Sequence, residues 1–143
     1  MTARDHRIVV GVDGSEGSIE ALRWAAGYAK AVGGSLQAVR TWHYPWAMQT
    51  APQKIDESVE EQIQKELDAS VAKAGVDVEV EARVVEGHAS LALVKESARA
   101  DLLVVGNRGH GAFHELMLGS VSLHCVTNAH CPVVVVRPST VGH

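Results

Sequence analysis

The sequence predicts an α/β domain in which five strands alternate with four helices around a parallel sheet. Three observations carry that reading. Five short runs are dense in valine and other β-branched or apolar residues, at lengths suited to strands. The segments between them place apolar residues at steps of three and four, the helical period. The two kinds of segment alternate strictly, and right-handed crossovers then put helices on both faces of the sheet.

The first run, RIVVGVD (7–13), is almost continuously apolar, as a central strand covered on both faces would be. A helix over 18–32 follows, with Ile19, Leu22, Ala26, Ala29 and Val32 on one side. Ser15 or Ser18 is placed to cap it, and Gly33-Gly34 to stop it. SLQAVRTW (35–42) is the second strand, and HYPWAMQTAPQK (43–54), with two prolines, reads as a surface loop. Residues 55–74 repeat Ile55, Val59, Ile63, Leu67 and Val71 every four positions, with acids and lysines opposite, and end at Gly75. In VDVEVEARVVE (76–86), Val76, Val78, Val80, Ala82 and Val84 share one face, which predicts a half-buried strand near a sheet edge. The next helix spans 89–100 through Leu91, Val94 and Ala98. DLLVVG (101–106) again reads as central. A last helix is expected from about Gly119-Ser120 to Asn128, before the final strand PVVVVRP (132–138).

A length of 143 residues suits one domain, 1–143, and shows no repeat or low-complexity tract. A formal net charge of −4 leaves no basic footprint for nucleic acid or an anionic membrane. No run approaches the ~20 apolar residues of a bilayer span, so neither nucleic acid nor membrane is an expected partner. The N-terminal run is interrupted by Asp13 and lacks a small-residue cleavage site, which reads as a strand and predicts a cytoplasmic location. Cys125 and Cys131 are then expected as reduced thiols.

Ligands of open α/β sheets bind beyond the carboxyl ends of the strands, where strand order reverses. The first and fourth runs end in Asp13 and Gly106; as neighbours, they would set VDGSEGS and the glycine-rich stretch of VVGNRGHGAFHELMLGSVS (104–122) across one crevice. Glycine lets the backbone approach a ligand closely, and strand-end amides can converge on phosphate oxygens. A helix starting at Gly119-Ser120 adds unpaired N–H groups and the positive end of its dipole, and Ser120 and Ser122 add hydroxyls. The same glycines also suit a plain strand-to-helix turn. The common phosphate loop with Gly-Lys-Ser/Thr is missing, and Gly11-Val12-Asp13-Gly14-Ser15-Glu16-Gly17 departs from Gly-x-Gly-x-x-Gly, which disfavours the usual dinucleotide site.

VVGVDGSEGSIEALRWAAGYA, ADLLVVGNRGHG and LGSVSLHCVTNAHCPVVVVRP together resemble the universal stress protein family, in particular its nucleotide-binding branch. That branch is marked by Gly, two residues, Gly, nine residues, then Gly-Ser or Gly-Thr. Gly106, Asn107-Arg108, Gly109, residues 110–118 and Gly119-Ser120 fit it without a gap, and the likeness runs from about Ile8 to Pro138. The resemblance implies an open, Rossmann-like five-stranded parallel sheet of order 3-2-1-4-5. It also implies binding of ATP, or of AMP or a cyclic nucleotide, with Mg2+ on the phosphates. Gly106, Asn107, Arg108, Gly109, Gly119, Ser120, Val121 and Ser122 would hold the phosphates. Asp13, with Gly11 and Val12 beside it, would meet the ribose hydroxyls or the divalent ion, and backbone near Thr41 would read the adenine edge.

Asp13 has two readings. Beside phosphates a carboxylate must accept ribose hydroxyls or meet a cation; alternatively it caps the following helix. Arg108 either offsets phosphate charge or is a solvated loop arginine. HGAFH (110–114) lacks a protease-type glutamate, and HCVTNAHC (124–131) lacks the paired spacing of a structural zinc site. Buried inert thiols are the expectation for the cysteines. Trp42, Tyr44 and Trp46 either close over a base or dock on a partner, or else plug the end of the core. An apolar edge strand at 132–138 invites two-fold pairing with a second copy, and the resemblance points the same way.

The expected function is therefore a cytoplasmic, homodimeric ATP-binding module in stress responses, with at most weak ATP hydrolysis. The alternatives are a slow ATPase or nucleotidyl transferase on the same site, and a partner-binding module with a vestigial pocket. No dedicated lysine, arginine finger or water-orienting base is recognisable.

Overall fold

The five apolar runs pair into one sheet. In the computed structural model, which describes residues 6–43, 57–107 and 118–137, the strands are β1 (Arg7–Gly11), β2 (Ser35–Trp42), β3 (Val80–Glu86), β4 (Leu102–Gly106) and β5 (Val133–Val136). Their order is β3-β2-β1-β4-β5, and every adjacent pair is parallel. The crossovers are α1 (Glu16–Val32), α2 (Glu57–Ala74), α3 (Ala89–Ser97) and α4 (Ser120–Asn128). The sheet order is the one that the family resemblance implies.

Strand burial follows from the helices on either side. Ile8, Val10, Leu36, Ala38 and Val104 pack under α1 and α2 with Ile19, Leu22, Ala25 and Leu67. Val9, Val39, Leu103 and Val105 face the other way, toward Leu93 of α3 and Cys125 of α4. Ile8, Val9 and Val10 are wholly buried, as a central strand without a polar face requires. β3 lies at an edge and is half-buried, in keeping with its alternation. Val76 and Val78 precede the strand but pack on the same cluster as Val80, Ala82 and Val84.

Caps sharpen the helix boundaries. The Ser15 side chain accepts the Ser18 N–H at 3.2 Å, so α1 begins at Glu16. Gly33 takes the left-handed conformation at φ 67°, closed to most side chains, and ends the helix. In α3 the buried face is Ala92, Leu93 and Ser97, while Leu91 is 59% exposed. Gly11 explains the difference. A Cβ there would lie 2.9 Å from Leu93 Cδ1, so Leu93 fills the space that glycine leaves on β1, and the helix is turned accordingly.

Register aligns the carboxyl ends that matter. Val10 pairs with Val104, and Gly106 with Val136, so the chain leaves β1 and β4 side by side at the same edge. At the opposite end, Arg7 donates to Gln37 Oε1 at 2.8 Å, Gln37 donates to Glu81 at 3.0 Å, and Arg83 pairs with Glu96 at 2.9 Å. This network satisfies the one amide side chain that β2 buries among apolar residues.

Candidate functional site

The exit from β1 is a built turn. Gly14 has φ 88°, and Asp13 Oδ1 accepts both the Ser15 N–H at 2.9 Å and the Ser15 hydroxyl at 2.5 Å. Ser18 Oγ accepts the Asp13 N–H at 3.2 Å and donates to the Ser15 carbonyl at 2.9 Å. The helix cap is thus Ser15, and Asp13 holds that cap in place while staying half-buried at the carboxyl edge of the sheet. Val12 is buried and its N–H donates to the Val39 carbonyl at 2.9 Å, which ties this turn to β2. Thr41 lies two residues farther along β2, opposite Val85.

Gly106 ends β4 against this turn. A Cβ there would lie 3.1 Å from the carbonyl carbon and oxygen of Gly17, in the first turn of α1. Its φ is not positive. Gly106 is therefore accounted for by close backbone packing, whereas the sequence reading credits it with ligand approach.

Beyond β4, Asn107 is 2% exposed. Its N–H donates to the Val136 carbonyl at 2.9 Å, and its carbonyl accepts the Gly119 N–H at 2.6 Å and the Ser122 hydroxyl at 2.9 Å. The Ser122 hydroxyl also reaches the Gly119 carbonyl at 3.0 Å, so both the Gly119 amide and this hydroxyl serve the chain itself. That corrects the expectation that they point at a ligand. What remains is the first turn of α4. Gly119 is its N-cap and offers no side-chain cap, and the amides of Ser120, Val121 and Ser122 have no intrahelical acceptor. Ser120 is exposed and Val121 half-buried, so the open side of this turn begins at Ser120. Asn107 Oδ1 is buried with no hydrogen-bond partner among the described residues. Arg108 and Gly109 lie outside the described residues, as do His110, His114, Tyr44 and Trp46.

The structure adds Arg40, which sequence reasoning passed over. One guanidinium nitrogen pairs with Glu66 of α2 at 3.2 Å, and the other lies 3.5 Å from where a Gly14 Cβ would stand. An arginine within a strand carries no local signal of that kind, since the proximity arises from the β1–β2 pairing. Trp42 is buried at 8% exposure, at the end of β2. Burial pushes the Cys125 thiol up to about 11 and raises that of half-buried Cys131, as inert thiols require. Among the described residues no three His, Cys, Asp or Glu side chains group as metal ligands. No helix among them is long and apolar enough to cross a membrane.

Comparison with known proteins gives concordant matches. The model of the Universal stress protein family matches residues 6–137. Universal stress protein Rv2624c of Mycobacterium tuberculosis is 33% identical over 134 residues, covering 91% of this chain and 47% of that protein. Universal stress protein MJ0531 of Methanocaldococcus jannaschii is 30% identical over 145 residues, covering 92% of this chain and 81% of that protein. The chain thus spans about half the length of its mycobacterial relative. Among solved structures, a universal stress protein in complex with cAMP aligns with TM-score 0.71 at 27% identity, covering 96% of this chain and all of that one.

Proposed function

The chain belongs to the universal stress protein family, and on that premise we propose that it binds an adenine nucleotide, ATP foremost, at the carboxyl edge of β1 and β4. One observation carries the reading most. The amides that open α4 without an intrahelical acceptor and the Asp13 turn follow two adjacent strands, at the crevice where this fold class holds its ligands. The cAMP-bound relative supports the same class of ligand.

In this reading Ser120, Val121 and Ser122 meet phosphate oxygens through main-chain N–H groups, and Gly109 and Arg108 of the motif are further phosphate contacts. Asp13, flanked by Gly11 and Val12, accepts the ribose hydroxyls. Mg2+ would enter with the phosphates, and a carboxylate at Asp13 is the hard oxygen donor that such an ion takes. Asn107 Oδ1, buried with no partner among the described residues, would suit a hydroxyl of the ligand, since a buried acceptor left unmade costs about 1–3 kcal/mol. Gly119 shapes the approach at the head of α4, and backbone at Thr41 reads the base. The protein then works in the cytoplasm as a stress-responsive regulatory module rather than a fast enzyme. Pairing of two copies along β5, the half-buried strand at the other edge of the sheet, would make it a homodimer.

Equilibrium dialysis with labelled ATP, AMP and cAMP at millimolar Mg2+ tests this. Saturable binding is expected, with Asp13→Ala weaker by about ten- to a hundredfold, the loss of one charged hydrogen-bonding group. Gly119→Val adds bulk at the head of α4 and should abolish binding in a folded protein. A folded wild-type chain that binds none of the three removes the reading.

A further inference from the structure

The ends of β2 and β3 bring together two histidines that the sequence separates. Trp42 and Glu86 are register partners, and the Gly87 N–H donates to the Trp42 carbonyl at 2.7 Å. Gly87 has φ 138°, a conformation few other residues adopt, and it turns the chain so that His88 comes beside His43. The two rings lie 4.0 Å apart between centroids, tilted by 40°, and both residues are exposed. His88 is the N-cap of α3, yet its side chain makes no capping hydrogen bond.

We propose that His43 and His88 form a two-histidine site for a late first-row divalent transition-metal ion, the class of Ni2+, Cu2+ and Zn2+. Neutral imidazole is a borderline-soft nitrogen ligand that suits these ions and not Mg2+, so the site is chemically distinct from any ion carried by nucleotide phosphates. Metal–nitrogen bonds of about 2.0–2.1 Å in tetrahedral geometry set the two ligating atoms roughly 3.4 Å apart. With the ring centroids 4.0 Å apart just past the ends of β2 and β3, rotation of the two side chains would bring a nitrogen of each to that spacing. The Trp42–Glu86 register pair and the Gly87–Trp42 hydrogen bond hold the backbone immediately beside both histidines, so chelation orders little beyond the two side chains. The positive end of α3 opposes the ion modestly. With both rings exposed, the remaining coordination positions open to water or to a ligand from outside the chain.

Titration of the full chain with Ni2+ against a chromophoric chelator, without nucleotide, tests the site separately from the nucleotide reading. His43→Ala and His88→Ala should each weaken binding by about tenfold or more, because either leaves a single ligand. A His124→Ala/His130→Ala control should bind as the wild type does. In the unaltered protein, substoichiometric Cu2+ should broaden the imidazole proton signals of His43 and His88 before those of other histidines. Undiminished affinity in either single variant, or broadening that begins at another histidine, overturns the assignment.

Discussion

Gly106→Ala separates two reasons for a glycine at the end of β4. A methyl group there would stand 3.1 Å from two backbone atoms of Gly17 and 3.5 Å from the Ser18 nitrogen. Carbon contacts are comfortable at about 3.5–4.0 Å, so the first turn of α1 must retreat by a few tenths of an ångström. That turn is held by the Ser15 cap and by the Ile19 N–H on the Ser15 carbonyl at 3.0 Å. Overpacking of this kind costs about 1–3 kcal/mol. Loss of glycine freedom in the unfolded chain returns about 0.4–1 kcal/mol, because the φ here is one that alanine accepts. The two ranges combine to a loss centred on about 1.3 kcal/mol, or roughly 4 °C in Tm for a chain of this size. Urea denaturation should show a lower midpoint at an unchanged slope. An unaltered midpoint would refute the packing account and return the glycine to ligand approach.

Two further glycines should respond in opposite directions. Gly27 sits inside α1 with open space around it, so Gly27→Ala should stabilise by about 0.8–1 kcal/mol. Gly34 has the His6 carbonyl oxygen 2.5 Å from a would-be Cβ, so Gly34→Ala should destabilise by about 2 kcal/mol or more; equal melting of the two variants would contradict both. Thiol alkylation at pH 8 should label Cys131 before Cys125 in the native protein. The Cys125 side chain is wholly buried and its thiol is pushed up to about 11, which leaves on the order of one thiolate in a thousand. Labelling of both at one rate would contradict that burial.

The elements were legible because each rests on residues near one another in the chain. Val9 and Val10 announce a doubly covered strand, Gly33 announces a helix end, and the alternation of Val80, Ala82 and Val84 announces an edge. Boundaries shifted where a side chain decided them. Ser15 rather than Ser18 caps α1, because the Asp13 carboxylate holds the Ser15 hydroxyl. In α3 the helical period points to Leu91, but Leu93 is the buried leucine, because it fills the space that Gly11 leaves on a strand far away in sequence.

The candidate site divides the same way. Its motif, from Gly106 through Gly119-Ser120, can be read directly from the chain, as can a helix start that leaves amides unpaired. Which donors are already spent cannot. Gly119 and Ser122 turn to the Asn107 carbonyl only once β4 and α4 are docked. Likewise His43 and His88 meet only through the β2–β3 register, and Arg40 reaches Gly14 only because β2 lies beside β1. Propensity and periodicity are local quantities, so sequence alone determined the strands, the helices and the family motif. Hydrogen-bond partners and ring contacts are settled by pairing between distant segments, and tertiary structure alone decided those.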